Sequence, residues 1–353
     1  MSTDARRPTI RDVAREAGVS YATVSRVLNG GKWVAPDSQR AVERAIAKTG
    51  YRANQAARSL ATGRSGNYVF LLTEPQRALF EDPNFAVLFR AAAEEMAERE
   101  LTLVLLVAGS EGERRRAKEY VHGGHVDGVL LVSPHQGDPL ITDLLSAGVP
   151  IVSNGAPTWN DRISTVTADD AGGARRAVEH LVAQGRRRIA TIIGPSDSRG
   201  GHDRHTSYGA VLREHGLAAD PSLVAEGDWG RQSGARAMST LLAVRPDLDA
   251  VFAGNDAMAV GAVEVIEGSG RRIPDDVHVV GFDDAAVAEA SRPPLTTVRL
   301  PFEQISRTMV DLVSDTTREG TVHVTIPTRL IVRSSSPVVG PLTEHDGNRW
   351  SPL

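Results

Sequence analysis

Hydrophobic residues near the N-terminus recur at the spacing of two short helices. Apolar side chains stand three and four residues apart on either side of a glycine, at Ile10, Val13 and Ala14 and then at Val24, Val27 and Leu28. Thr9 and Ser20 can cap the two helices, and Gly18 provides the permissive backbone that a sharp turn needs. This pattern predicts a helix-turn-helix, although a plain helical hairpin would also produce it.

The second helix would present a polar face beside its N-terminal end, which in a helix-turn-helix enters the major groove of DNA. Arg26 can donate two hydrogen bonds to a guanine, and Ala22 can offer a methyl contact. The expected base-reading residues are the exposed ones: Tyr21, Ala22 and Arg26. The expected contacts to the DNA backbone come from short polar side chains: Thr9, Ser20, Thr23, Ser25 and Asn29.

A third helix is predicted over residues 37–49, ended by Gly50. Its apolar positions would close a three-helix head: Ala41, Val42, Ala45 and Ile46. Ala35 stands before this helix and has no side-chain oxygen for a cap, so we expect the start of the helix to be held less firmly.

From residue 68 onward, patterns of buried strands alternate with patterns of amphipathic helices. The first series has strands at 69–72, 101–107, 129–132 and 150–152, with helices at about 84–100, 113–122 and 138–147. A second series begins near residue 165, with helices at about 170–184, 204–215, 231–243 and 257–267 and strands at 189–193, 223–225, 250–253 and 277–280. A last helix near 302–318 and strands near 322–332 would complete the sheets. The predicted fold class is α/β, with two doubly wound parallel sheets in tandem behind a helical head.

Charge separates the head from the rest of the chain. Residues 1–65 hold 12 Lys and Arg against 5 Asp and Glu, a balance of +7, whereas the whole chain carries −4. The remaining residues therefore carry −11. A basic head is drawn to phosphates by counterion release, and the acidic remainder is not.

Composition excludes several other classes of protein. The chain has no cysteine, so neither a disulfide framework nor a thiolate nucleophile nor a Cys-based zinc site is available. The N-terminus is polar and no apolar run approaches the length of about 20 residues that spans a membrane, which favours the cytoplasm and its nucleoid. Neither a cofactor nor a metal is expected.

Three motifs resemble the lactose/galactose repressor family of bacterial transcription regulators: VSRVLN at 24–29, GYRAN at 50–54 and ARSL at 57–60. The resemblance extends to about residue 338. It implies a DNA-binding head at 1–52, a hinge helix and linker at 53–65, an effector-binding and dimerising core at 66–340, and a flexible tail at 341–353. It also implies a fold like that of periplasmic sugar-binding proteins, with lobe 1 at about 66–164 and 299–327 and lobe 2 at about 165–298 and 328–340.

In that family the hinge folds when two copies meet in the minor groove, where a leucine wedges between base pairs. The matching residues are Leu60 for the wedge and Ala57 for the contact between the two hinge helices. Leu60 could instead be an ordinary buried linker residue. The expected partners are a pseudopalindromic DNA operator, a second copy of the chain and a small-molecule effector. The tail after Gly340 has no heptad repeat, so a dimer is expected and not a tetramer.

Open parallel sheets bind ligands beyond the carboxyl ends of their strands, so the loops there form the candidate effector site. The candidates carry groups that suit a sugar or a nucleoside: Phe85, Asn154, Arg204, Trp229, Asn255 and Asp283. The motifs GNDAMAVG at 254–261 and VGFDD at 280–284 resemble the family's cleft, which implies that Asn255 and Asp283 contact ligand hydroxyls. The segment EGDW at 226–229 implies that Trp229 covers a sugar ring. Asn255 could instead cap a helix, and Trp229 could belong to the core.

One position departs from the family pattern. An arginine usually stands three residues before the glycine of the motif that is Tyr208-Gly209 here, and this chain has Thr206 at that place. Either Arg204 takes over the role or the effector differs from the common ones. The identity of the effector therefore stays open.

Two other functions compete with a regulator. An enzyme on a Rossmann-like frame would need a G-x-G-x-x-G, a Walker loop or a nucleophile elbow, and the sequence has none of them. A solute-binding protein for transport would need a signal peptide. The sequence favours a ligand-responsive DNA-binding repressor of carbohydrate-use genes, controlled by a sugar or a related small molecule and without enzymatic activity.

Overall fold

The computed structural model describes residues 8–28, 34–51, 64–155 and 162–338. The chain divides into two compact units, of which the first comprises residues 1–66 and 124–127 and the second comprises 67–123 and 128–353. Three of the predicted DNA-contacting residues, Asn29, Ala57 and Leu60, lie outside the described residues.

The first unit contains three helices: α1, Ile10–Ala17; α2, Tyr21–Leu28; and α3, Pro36–Thr49. Their shared core contains every apolar residue that the sequence predicts except Ala41, which is half-buried; Val13, Val24 and Val42 are fully buried. Gly18 follows α1 in the left-handed region at φ 67°, where a side chain would strain the backbone. Ala35 precedes α3 without a capping side-chain bond, as its lack of an oxygen predicts.

The second unit alternates strands and helices. Its strands are β1, Asn67–Leu72; β2, Thr102–Val107; β3, Gly128–Val132; β4, Ile151–Asn154; β5, Ser164–Ala168; β6, Ile189–Ile193; β7, Val224–Glu226; β8, Ala250–Ala253; β9, His278–Val280; β10, Thr297–Arg299; β11, His323–Ile326; and β12, Arg329–Ile331. Its helices are α4, Gln76–Glu81; α5, Pro83–Glu98; α6, Glu111–His122; α7, Pro139–Leu145; α8, Asp170–Ala183; α9, Arg199–Glu214; α10, Arg231–Val244; α11, Asp256–Gly268; α12, Ala286–Ala290; and α13, Phe302–Ser314.

Two parallel sheets organise this unit, which confirms the predicted fold class. The first sheet has six strands in the order β11-β5-β4-β3-β1-β2, and we call it with its helices the first lobe. The second sheet has four strands in the order β7-β6-β8-β9, and we call it with its helices the second lobe. Strands β10 and β12 form a short antiparallel pair beside it.

The chain passes between the lobes three times. It leaves the first sheet after β5, returns in α13, whose Met309 and Val310 pack in the core of the first lobe, and crosses again between β11 and β12. Residues that follow strands of both sheets line one cavity, including Ser133 after β3 and Pro195 after β6. The cavity therefore lies beyond the carboxyl ends of the strands of both sheets, where the sequence predicts the candidate effector site.

Three details differ from the prediction. Strand β5 pairs with β4 and β11 in the first sheet, whereas the second series was predicted to begin near residue 165. Its sequence STVTA lacks the continuous apolar run by which buried strands are found. Helix α9 begins at Arg199 and not near 204, because the Ser198 side chain caps it. The sequence pattern does not show this first turn, because it contains two poor helix formers, Gly200 and Gly201. Between the first predicted strand and the helix predicted at about 84–100, the chain also forms the short helix α4, and α5 begins at Pro83.

Candidate functional site

The outward side of α2 carries the three predicted base-reading residues. Tyr21 is 56% exposed, and Ala22 and Arg26 are also exposed. Ala22 and Arg26 stand four residues apart and therefore lie on the same side of the helix. These three side chains are free of the head's apolar core and are available to a partner.

Two of the predicted phosphate contacts also fix the starts of helices. The hydroxyl of Ser20 accepts a hydrogen bond from the Thr23 backbone N–H at 3.1 Å, which caps α2 as predicted. Thr9 donates its backbone N–H and its hydroxyl to Asp12 Oδ2 at 2.9 and 2.7 Å. Thr23 and Ser25 are half-buried on α2. The polar residues of this segment thus stabilise two very short helices, which would be only marginally stable in isolation.

A cavity of about 920 Å³ lies between the two lobes. All six predicted effector residues line it: Phe85, Asn154, Arg204, Trp229, Asn255 and Asp283. Phe85 and Asn154 come from the first lobe, and the other four come from the second. The volume is within the range of small-molecule sites, and both lobes contribute to the walls.

Arg204 is the most extensively paired side chain in the cavity. Its Nε donates to Asp170 Oδ1 at 2.8 Å, and one terminal nitrogen donates to the Gly254 carbonyl at 2.5 Å. The guanidinium lies 3.9 Å from the centre of the Phe282 ring and 5.4 Å from that of Trp229, as cation–π contacts. These contacts hold the guanidinium plane in one orientation inside the cleft.

The structure corrects the position at which the sequence analysis looked for an arginine in the cleft. Thr206 is exposed and does not line the cavity, whereas Arg204 does. Arg204 stands one helical turn before Tyr208, which is buried with its hydroxyl donating to the Ile189 carbonyl at 2.7 Å. Tyr208 thus fixes which side of α9 faces the cleft, and that side carries position 204. Arg204, and not position 206, is therefore the arginine of α9 that lines the cleft.

Trp229 and Asn255 are joined by a hydrogen bond in the second lobe. Trp229 lies at φ 68°, packs against the core of the second lobe and also lines the cavity. Asn255 Nδ2 donates to the Trp229 carbonyl at 2.9 Å, while its Oδ1 accepts from the Met258 N–H at 2.9 Å and caps α11. Asn255 is therefore the helix cap that the sequence left as an alternative, and it also fixes the loop that carries the tryptophan.

Asp283 is the deepest acid of the cleft. It is 7% exposed and has a φ of 107°, and its Oδ2 accepts from Asn84 Nδ2 at 2.9 Å. Burial raises the pKa of Asp283 well above its ordinary value, although Arg204, with a terminal nitrogen 3.8 Å from Oδ1, opposes the rise. The carboxyl group thus faces both an amide from the first lobe and a guanidinium from the second.

Asn84 was missed from the sequence. It stands in the first turn of α5 beside Asp82, whose carboxylate caps that helix by accepting from the Asn84 N–H at 2.9 Å. The segment Asp82-Pro-Asn is a recognisable helix start, so it could have been placed at the strand-end edge of the sheet. Its contact with Asp283, 199 positions away in sequence, requires the three-dimensional fold.

Asn154 and Phe85 supply the first lobe's predicted contributions. Asn154 ends β4, and its Oδ1 accepts from the Ser133 N–H at 3.1 Å. Phe85 is half-buried, packs against the core of the first lobe and lines the cavity. The cleft therefore combines apolar ring surfaces with carboxylates, amides and a guanidinium, the set that binds the hydroxyls and the CH face of a sugar.

Two other kinds of feature were sought among the described residues. No helix there has the length and the hydropathy that crossing a membrane requires. Within the same ranges, no three or more side chains of His, Asp or Glu are grouped so that they could hold a metal ion.

A helix-turn-helix head followed by two parallel-sheet lobes around a polar cleft defines a class, the ligand-responsive transcription regulators. Residues 9–54 match the family described as bacterial regulatory proteins, lacI family, and residues 178–336 match the periplasmic binding protein-like domain. The chain belongs to the LacI family of bacterial regulatory proteins.

Similar proteins cover nearly the whole chain. It is 43% identical over 336 residues to the HTH-type transcriptional regulator CelR of Thermobifida fusca, which covers 94% of this chain and 98% of the relative. It is 32% identical to the ribose operon repressor of Halalkalibacterium halodurans, over 93% of this chain and 97% of the relative. By their names, these relatives are a transcriptional regulator and an operon repressor.

Solved structures agree in fold over the same extent. A transcriptional regulator CelR-cellobiose complex has 41% identity and a TM-score of 0.75, over 93% of this chain and 100% of that one. The lac repressor dimer bound to operator and the anti-inducer ONPF has 28% identity and a TM-score of 0.81, over 94% and 100%.

Proposed function

We propose that this chain is a transcriptional repressor whose effector is cellobiose or a closely related disaccharide of glucose. The observation that carries the proposal is the cleft, where Trp229, Arg204 and Asp283 surround about 920 Å³ of space between the lobes. The similarity to CelR, and to a CelR structure in complex with cellobiose, supports this choice among the sugars. A disaccharide offers the polyhydroxylated edges and apolar ring faces that these side chains match.

Within the cleft, each group has a proposed part. Trp229 covers the CH face of one glucose ring, and Phe85 supplies a second apolar surface. Arg204, Asp283 and Asn154 exchange hydrogen bonds with ring hydroxyls. Asn255, whose amide is already bonded on both sides, acts by holding the Trp229 loop.

In the head, Tyr21, Ala22 and Arg26 are proposed to read bases, and polar side chains are proposed to contact the DNA backbone: Thr9, Ser20, Thr23, Ser25 and Asn29. The proposed domains are the head at 1–52, the hinge at 53–65, the core at 66–340 and the tail at 341–353. The lobe boundary proposed at 164 is moved to 168, because β5 belongs to the first sheet.

Two copies of the chain are proposed to bind a pseudopalindrome, with Leu60 of each hinge wedged in the minor groove and Ala57 at the contact between hinges. Binding of cellobiose changes how the lobes close and thereby whether the hinges can pair. Such coupling is typically about 1–3 kcal/mol and reciprocal, so operator DNA must change cellobiose affinity by the same factor. Leu60→Ser should therefore weaken operator binding and abolish the response to cellobiose.

A ligand panel tests the proposal on the purified full-length protein. Calorimetry with cellobiose, glucose, ribose and a purine nucleoside would identify the ligand, and a DNA fragment selected for binding would report the effect on operator affinity. We expect saturable binding of cellobiose in preference to the other three, with a change in DNA affinity. Chemical conversion of the bound sugar over many turnovers, or preference for the nucleoside, would contradict the proposal.

A further inference from the structure

The loop after β3 reaches from the first lobe to the second. The imidazole of His135, in this loop, contacts Asp197 Oδ2 through Nδ1 at 3.0 Å, and Asp197 follows β6 of the second sheet. The backbone continues the link, because the Gln136 N–H donates to the Asp197 carbonyl at 3.0 Å and His135 forms an isolated antiparallel bridge with Ser198. A single short segment thus ties the two lobes together beside the cleft.

The other side of the same imidazole holds a cavity-lining acid. His135 Nε2 contacts Glu74 Oε1 at 3.0 Å, and the Ser133 hydroxyl donates to the same oxygen at 2.6 Å. Glu74 follows β1 and lines the cavity, whereas neither His135 nor Asp197 does. Among the described residues both bonds end on Oε1, which leaves Oε2 for a ligand hydroxyl.

We propose that Glu74 is a further effector-binding residue and that His135 is its positioning residue, which joins it to Asp197 so that sugar binding at this end of the cleft is coupled to closure of the lobes. The inference rests on the proposed function and deepens it. We call Glu74, His135 and Asp197 the His135 bridge. When the lobes separate, the bond between His135 and Glu74 stays within the first lobe, whereas the bonds of this loop to Asp197 and Ser198 are lost.

The charges of the bridge suit this role. The hydrogen bond with Glu74 raises the pKa of His135 to about 9, against the effect of burial, and the charges of Glu74 and Asp197 add to the rise. His135 is therefore an imidazolium at neutral pH and donates from both nitrogens. Burial pushes the pKa of Glu74 upward, but the bonds from His135 and Ser133 outweigh it and keep the net pKa low. Glu74 thus presents an ionised acceptor to the cleft.

The test measures binding and dissociation of cellobiose on the full-length protein and two variants. Asp197→Asn removes a carboxylate that is half-exposed and outside the cavity, so the protein should fold normally. We expect cellobiose to dissociate about threefold to fivefold faster, with little change in the association rate, which is the scale of one partly exposed ion pair. Glu74→Gln should weaken cellobiose binding by about tenfold or more, because a charge-assisted hydrogen bond to the ligand is lost.

Asp247→Asn is the matched control, since Asp247 is equally exposed, is paired with Arg245 at 3.0 Å in the same lobe and lies outside the cavity. Asp197→Glu retains a carboxylate and should restore part of the slow dissociation. If the wild-type protein binds no cellobiose, the proposed function fails and this inference falls with it. If the wild-type protein binds cellobiose but Asp197→Asn dissociates at the rate of Asp247→Asn, or Glu74→Gln binds as tightly as wild type, the inference alone is overturned.

Discussion

The indole of Trp229 occupies the space that a side chain at Gly194 would fill. A β-carbon built at Gly194 would overlap the six-membered ring of Trp229, so the glycine directly after β6 is what lets the tryptophan reach the cleft. A residue of the smallest size thereby determines the position of the largest one in the site.

Gly194→Ala should lower the free energy of unfolding by about 1–3 kcal/mol, the usual effect of forcing an extra carbon into packed space, and should displace Trp229 and so weaken cellobiose binding. Calorimetry would give the affinity, and the emission of the displaced indole should shift. Gly209→Ala is the matched control, because a β-carbon at this helical position meets nothing within 4 Å. Equal affinities for the two variants would mean that Trp229 does not contact the sugar.

Arg204 and Thr206 give opposite predictions although they are two residues apart. Arg204→Met should abolish cellobiose binding and lower the free energy of unfolding by about 3 kcal/mol, since it leaves Asp170 and Asp283 without their cation in a mostly buried site. Thr206→Arg should change both quantities by less than about 0.5 kcal/mol, because this position is exposed. Urea denaturation and calorimetry would check both variants. Tighter sugar binding in Thr206→Arg would show instead that position 206 is the place for an effector-binding arginine, as the family pattern suggests.

This pair of residues also shows what a sequence can and cannot reveal. Motif spacing led to position 206, but the side of α9 that faces the cleft is set by the burial of Tyr208 against the second sheet. Such packing joins residues far apart in the chain, and no local pattern contains it. The same reason hides Asn84, whose partner Asp283 stands on the other lobe.

Local signals, by contrast, predicted the head almost completely. Its three helices are defined by spacing of apolar residues, by the caps at Thr9 and Ser20, and by Gly18, all within a few residues of the structure they determine. The sequence pattern did not predict strand β5, because its threonines break the apolar run, although they pair as strand residues with β11. The rule that sites follow strand ends gave six cavity-lining residues, because it depends only on the order of strands and loops.

Arg26 and Ser20 should affect DNA binding in different ways. Arg26→Ala removes an exposed donor and should relax specificity at one base pair in each half-site, a discrimination of about 1–3 kcal/mol. Ser20→Ala removes the cap of α2 and should lower stability by about 1 kcal/mol, weakening binding evenly over all operator variants. Affinities for a set of single-base operator variants would separate the two patterns. Arg40→Ala is the control, because it also removes an arginine of the head, one that is paired with Asp37 on α3. If Arg26→Ala weakened binding to all operator variants by the same factor, Arg26 would be a phosphate contact and not a base contact.

His278 should make the second lobe sensitive to acid. It is buried on β9, with Nδ1 2.9 Å from the Ser336 hydroxyl, and burial, with Arg186 and His180 nearby, lowers its pKa from 6.5 to about 4.

The unfolded chain therefore takes up a proton first as the pH falls, so the stabilisation by neutral His278 is complete above pH 6.5 and is lost on the way to pH 4. Between pH 7 and pH 4 this loss should amount to about 3 kcal/mol of unfolding free energy. Denaturant titrations from pH 7 to pH 4 should show a shallower decline for His278→Asn, which does not titrate, than for wild type or for the exposed control His202→Asn. An unchanged slope in His278→Asn would assign the acid sensitivity elsewhere, with His180, whose pKa burial also lowers, as the next residue to replace.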